Sequence, residues 1–315
     1  MLETLQQIFP YAIAYTVPLL LTALGAVYCE RSGIVNVGLD GLMIVGSFVG
    51  AYTIVQLENS GNAYALWIGL FAAFVAGVIF SLLHAFASVT LNANQVISGT
   101  AINMIAGALT VFLARNITGS GNIRIKLGFV TSDVPVLSKI PVIGPLFFQG
   151  TYATTWLALA ILIISAIVLN KTSFGLRLKA CGEHPHAADA AGINVYKMRY
   201  IGVMISGGLA ALSGAVIIVT YGGEFNGSVN GLGFLALAAL IFGRWNPFGV
   251  LGATLFFGFA STVANVSGIM PALSSVPPVF LKIFPYIATL IVLVFFSKKT
   301  SAPKASGEPF EPGKR

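Results

Sequence analysis

Long apolar runs separated by short polar breaks set the rhythm of this chain. The runs fall at about residues 8–28, 39–57, 64–89, 95–115, 152–169, 199–220, 231–243, 247–266 and 283–297. A hydrocarbon layer roughly 30 Å thick needs about 20 such residues per helix, so the pattern predicts about nine membrane-crossing helices. Barrel strands would alternate apolar and polar residues, and these runs do not. The seventh run is short and Gly-rich, which suits a helix broken or packed inside a bundle.

The one long polar interruption, residues 170–199, carries Lys171, Arg177, Lys179, Lys197 and Arg199. Within it, Pro185 fits the first position of a helix, where its missing N–H costs nothing. Gly192 fits the left-handed position just past the end. His186-Ala-Ala-Asp-Ala-Ala between them gives about two turns with a methyl-lined face, too short to be stable alone. Such a helix needs a partner groove, and a basic loop carrying it suggests a part on which another protein pushes. A solvated loop with a chance helix is the plainer alternative.

Composition agrees with the runs. Hydrophobic residues make up 57% of the 315 and charged residues 9%, too little charge to clothe a soluble surface of this size. Lys and Arg then orient the bundle. Placing the 170–199 loop and the tail (Lys298, Lys299, Lys304, Lys314, Arg315) in the cytoplasm needs an even number of spans between them. Four are found, and five precede the loop, so the amino terminus is expected outside. Arg31 and Arg244 also fall inside, for twelve of the seventeen basic residues. The 116–150 loop, placed outside with Arg124, Lys126 and Lys139, runs against this distribution but is long enough to weigh little. Residues 1–297 read as one transmembrane domain and 298–315 as a disordered cytoplasmic tail. The leading Met-Leu-Glu carries no positive charge and no cleavage site follows, so the first span is expected to remain as a helix. The net charge of +7 follows from topology and does not imply nucleic-acid binding.

Cys29 and Cys181 both fall on the expected cytoplasmic side, which argues against a disulfide framework. His84, His184 and His186 do not cluster with carboxylates, so no metal site is expected. The spans are nearly free of the titratable groups that ion-coupled carriers use. Asp40 and His84 lie within or near a span; Glu30 and Arg31 are expected to neutralise each other at a helix end. Asp40 is read as capping or lining the entry of the second helix. The energy source is therefore placed outside this chain.

Small and neutral polar residues fill the spans instead. Gly46 with Gly50, Gly207 with Ala211 and Gly249 with Ala253 are pairs that let backbones approach closely. The cluster from Gly33 to Gly41, with Asn36, permits an unwound stretch whose backbone groups line a cavity. Asn94, Gln95, Ser98, Thr100 and Asn103 place neutral donors and acceptors at the start of the fourth helix. Neutral amides suit a neutral hydroxylated solute better than an ion. Asn36, Asn94, Gln95 and Asn103 are the candidate path residues, with interhelical hydrogen bonding as the alternative for each.

Glu30-Arg31-Ser32-Gly33-Ile34-Val35-Asn36-Val37-Gly38-Leu39-Asp40-Gly41 resembles the segment ahead of the second helix in ATP-binding-cassette (ABC) importer permeases of the simple-sugar and nucleoside group. The stretch from Phe174 to Val195, followed by Ser206-Gly-Gly-Leu-Ala-Ala-Leu-Ser-Gly-Ala215, is similar to their coupling loop and next helix. Asn246-Pro-Phe-Gly-Val-Leu-Gly-Ala253 resembles a third shared block. The resemblance implies an all-α permease of a bacterial plasma membrane. Two permeases would form the channel, a cytoplasmic ABC ATPase would hold ATP and Mg, and an extracytoplasmic binding protein would deliver a small neutral solute. The chain itself would be a transport subunit without cofactor.

Gly182, Glu183, Pro185, Ala187, Ala188 and Gly192 are the positions set in the coupling motif and its helix. The family also implies two halves of inverted topology, for which Gly-rich breaks near 33–50 and 227–243 are the signal. Relative to ribose-type members the chain lacks an extra amino-terminal helix, and Glu-Arg-Ser-Gly looks more like the nucleoside branch. A longer sister permease is expected beside it. A simple sugar such as ribose is the alternative solute, with an ion-coupled carrier or a non-transporting scaffold further off.

Overall fold

A computed structural model describes residues 2–141, 143–266 and 302–313, with 280, 283, 284 and 287 besides. The helices are α1 (Leu2–Arg31), α2 (Leu39–Asn59), α3 (Ala65–Ala85), α4 (Gln95–Thr118), α5 (Ile143–Phe147), α6 (Ala153–Lys171), α7 (Ser173–Glu183), α8 (Pro185–Ala190), α9 (Val195–Ile217), α10 (Leu232–Phe242) and α11 (Pro247–Val266). Single π-helical turns extend α3 over Phe86–Thr90 and α9 over Ile218–Gly222. The short strands β1 (Ile123–Arg124) and β2 (Glu224–Phe225) pair antiparallel.

Among the described residues, seven helices are long and apolar enough to cross a membrane, and they fall on the first six expected spans and the eighth. The seventh expected span is the short apolar helix α10. The ninth, at 283–297, lies outside the described residues except for isolated positions.

α1 and α9 form the buried centre, with α2 beside them. Outward faces of α3, α4 and α6 carry Phe71, Ile79, Met104, Phe112, Ile163 and Ile167 exposed. An apolar belt of this kind is stable only against lipid or another apolar partner. The centre is tight because small residues face one another. A side chain added at Gly46 would strike the Ala211 carbonyl, and one at Gly214 the Met43 carbonyl, so α2 and α9 touch backbone to backbone.

Two of the connections are unwound, the first buried in the bundle and the second partly exposed. α1 leads through residues 32–38 to α2, and α9 leads through 223–231 to α10. Asn36 Nδ2 donates to Ser206 Oγ (3.1 Å), which sets the start of α2 near the middle of α9. Gly46 and Gly50 then lie against Ala211 and Ala215, so α2 climbs alongside the second half of α9. The Gly233 N–H donates to Asp40 Oδ1 (2.9 Å), so α10 begins at the same level as α2. It runs the other way, ending beside Arg31 at Trp245. The full-length α2 and the short α10 thus meet amino end to amino end in mid-bundle. Asp40 lies in the first turn of one and bonds the first turn of the other, a favourable place for a carboxylate at both helix dipoles.

Candidate functional site

The interruption at 170–199 folds into two helices, not a loop with one. Thr172 joins α6 to α7: its hydroxyl donates to the Val168 carbonyl (2.6 Å) and accepts from the Gly175 N–H (3.2 Å). Gly175, Leu178 and Cys181 form the buried stripe of α7, while Leu176 and Arg177 face outward. α8 begins at Pro185 and ends in a Schellman-type cap. There the Gly192 N–H donates to Asp189 O (2.8 Å) and the Ile193 N–H to Ala188 O (3.0 Å), with Gly192 at φ +79°. Asn194 Oδ1 then caps α9 by accepting from the Lys197 N–H (2.8 Å).

α8 is two-faced. Pro185 and Ala188 are buried, whereas His186, Ala187, Asp189, Ala190 and Gly192 are exposed. Of the other motif residues, Gly182 is buried with its Cα against the Arg31 carbonyl, where a side chain would not fit. Glu183 is exposed and pairs with Arg31 (Oε1 to Nη1 3.6 Å). Glu30 and Arg31 therefore do not neutralise each other. Neighbours on a helix point about 100° apart. Glu30 accepts from the Trp245 indole N–H (2.5 Å), while Arg31 donates to the Trp245 carbonyl through Nε and Nη2 (both 3.2 Å). These contacts bring α1, α7 and the α10–α11 turn to one point beside α8.

The tail is the part that the sequence reading misplaced. Residues 302–313 are packed, not disordered. The Ala305 N–H donates to Gly182 O (2.9 Å) and the Gly307 N–H to Gly33 O (3.1 Å). Phe310 is 2% exposed, its ring 5.2 Å from His186 of α8 and 5.5 Å from Tyr196 of α9. Buried Arg199 donates through Nη1 to Glu308 O (2.9 Å) and lies 6.0 Å from the Phe310 ring. The physical reason is that one large apolar side chain and a few backbone groups suffice when a waiting pocket exists. Phe310 as the one aromatic residue of an otherwise polar tail was the available signal.

The four candidate path amides occupy definite places. Gln95 Oε1 accepts from the Val35 N–H (2.7 Å); Asn103 accepts from the Gly41 N–H (2.7 Å) and donates to Val37 O (3.0 Å). Asn36 Oδ1 accepts from the Gly38 N–H (3.0 Å), besides its bond to Ser206. Asn94 instead caps α4, accepting from the Val96 and Ile97 N–H groups (3.0 and 3.1 Å). His84 adds Nε2 to the Val35 carbonyl (3.1 Å), which requires that nitrogen to carry the proton, leaving Nδ1 to accept from Ser98 (2.9 Å). Three of the four amides thus converge on the 32–38 break and satisfy backbone groups that a helix would otherwise pair.

A family model described as branched-chain amino acid transport system / permease component matches residues 9–293. The chain belongs to this family. The guanosine ABC transporter permease protein NupQ of Bacillus subtilis is 46% identical over 99% of this chain and 99% of its own length. The nucleoside ABC transporter permease protein NupC of Lactococcus lactis is 42% identical over 97% and 96%. The guanosine ABC transporter permease protein NupP of Bacillus subtilis is 28% identical over 93% of this chain and 80% of its own length. Family membership accounts for the apolar helices as spans of a multi-pass membrane permease, and it agrees with the resemblance carried by the three sequence blocks.

Proposed function

We propose that this chain is the permease subunit through which an ATP-driven ABC importer carries nucleosides across the membrane. The observation that carries this reading is identity of 46% and 42%, over nearly the whole chain, to permeases named for guanosine and nucleoside transport. α8 is the docking helix for a cytoplasmic ABC ATPase. Its exposed Ala187 and Ala190 allow close seating, and its buried Pro185 and Ala188 fix it to the bundle. Displacement of α8 reaches the centre along α9 directly and along α1 through Glu183 and Arg31. ATP and Mg belong to the ATPase; this chain supplies the path and the lever.

On this reading the α8 end faces the cytoplasm, with the carboxyl terminus. The amino terminus and the α9–α10 connection face outward, where a binding protein delivers solute. Asn36, Gln95 and Asn103 hold open the break along the path, and Asn94 fixes the entry of α4. A second, longer permease completes the channel, as supported by two guanosine permeases in Bacillus subtilis, one of the length of this chain and one longer.

The test is accumulation of labelled guanosine and uridine by cells lacking the gene and complemented with it, with excess ribose as competitor. Restored uptake that ribose leaves unchanged is expected, and deletion of residues 182–192 should abolish it while the protein still inserts in the membrane. Suppression by ribose would overturn the solute, and full uptake by the deletion variant would overturn the docking assignment.

A further inference from the structure

At the far end of α9 from α8 lies a cavity of about 610 Å³, which no residue discussed above as a site lines. α9 with its π turn spans 28 residues, about 42 Å at the usual helical rise, so this cavity and α8 sit at opposite ends of one rod. The cavity is walled by α1, α2, the end of α9, the 223–231 connection, α10 and α11. Its floor reaches Leu232 and Leu235 in the first turn of α10, which starts in mid-bundle. It is therefore a funnel from one end of the molecule to the level where the amino ends of α2 and α10 meet.

The lining has a specific chemistry. One wall is aromatic: the rings of Tyr15 and Tyr221 lie 4.5 Å apart. The π turn at 218–222 adds a residue to the helix and so re-aims Tyr221. The Tyr221 hydroxyl is buried and has no hydrogen-bond partner among the described residues. Such a group ordinarily has one, so this wall holds a polar atom that the described residues leave unsatisfied. The facing connection brings Asn226, Ser228 and Asn230, all exposed, with Ser47 from α2 and the carboxylate of Glu224. Among the described residues, no Lys, Arg or His lines the cavity.

We infer that this funnel is a binding chamber of the permease for a neutral solute with a flat aromatic part and a hydroxylated part, that is, an intact nucleoside and not a nucleotide. The base lies against the Tyr15–Tyr221 wall, where stacking tolerates any base. The sugar hydroxyls meet Asn226, Ser228 and Glu224, which accept and donate without a cation. A phosphate would meet the Glu224 carboxylate with no cationic side chain among the described lining residues, since Arg124, opposite Glu224 across the β1–β2 pair, does not line the cavity, and like charges repel. The size falls within the range of small-molecule sites. The inference deepens the nucleoside reading and rests on it.

The test exploits the two native cysteines, both buried. Ser228→Cys and Asn226→Cys each place a single accessible thiol in the funnel of the chain expressed in cells with its own transporter. Labelling by a membrane-impermeant thiosulfonate is measured with and without saturating guanosine, uridine, guanosine monophosphate or ribose. In parallel, uptake is measured for wild type, Tyr221→Phe and Tyr221→Ala at equal membrane abundance. The expected result is labelling from outside, slowed about tenfold by either nucleoside and not by the nucleotide or ribose. Tyr221→Ala should reduce uptake by about tenfold, the scale of one base–aromatic stack, with Tyr221→Phe between the two.

Wild type that transports nucleosides while labelling at both thiols is indifferent to them overturns the chamber and leaves the nucleoside reading standing. Protection by the nucleotide equal to that by the nucleoside overturns the charge argument. Wild type that restores uptake of neither nucleoside overturns the parent reading and the ligand assigned here together.

Discussion

Single residues around α8 are held by burial more than by charge. Cys181 is fully buried on α7 and its thiol is pushed up to about 11 by loss of hydration, against a smaller opposing pull from Arg199. The reactive form is the thiolate, so raising the pKa by about two units cuts its share at pH 8 about a hundredfold. Cys181 should therefore resist maleimide in native membranes and react only after denaturation. Rapid labelling at pH 8 would contradict its place in the stripe of α7. The amides show the same preference for internal work: Asn103 serves one backbone group of the break and one in the first turn of α2, the interhelical hydrogen bonding that its type alone favoured over path-lining. Sequence shows that a residue can form hydrogen bonds; only the neighbours brought by α2 and α4 decide with what.

At the scale of elements, the short helix α8 was legible because its signals are local. Pro185 at the start and Gly192 at the end act through a few bonds, and the structure places both as such caps do. The tail was not legible, because its order comes from contacts with residues far away in the chain: Gly33, Gly182, Tyr196 and Arg199. Phe310→Ala removes the one large buried side chain of that segment, a loss on the order of 3 kcal/mol for a packed ring. The expected outcome is faster trypsin cleavage after exposed Lys304 in native membranes, together with reduced uptake, since the ring also rests on His186 of α8. Cleavage at the wild-type rate would mean that the tail is held by its backbone bonds alone.

For the whole molecule, the centre is set by α1 and α9, from each of which an unwound connection leads to a helix starting in mid-bundle, α2 and the short α10. The first, 32–38, keeps its non-helical backbone where protein groups satisfy it, the condition for irregular chain at membrane depth. Apolar faces on α3, α4 and α6 remain for lipid or a partner. If a second permease completes the channel, the two chains should copurify in detergent in equal amounts when expressed together. This chain alone should not give a transport-competent assembly with the ATPase. Full uptake from this permease without a sister chain would establish a homodimer instead.

The sequence by itself determined that the chain is a bundle of membrane helices, where most of them lie, that a capped short helix interrupts them, and which family it resembles. Those features follow from local quantities: the length of an apolar run, the fixed φ of Pro185, the positive φ that Gly192 alone adopts without strain. The tertiary structure decided the rest. It joined Asp40 to Gly233, turned Arg31 from Glu30 toward Trp245 and Glu183, folded the tail onto α8, and opened the funnel between Tyr15 and Asn226. Each of these is a meeting of segments distant in sequence. The energy of such a contact resides in the pair, so neither partner's own stretch of chain reveals which segment it will meet.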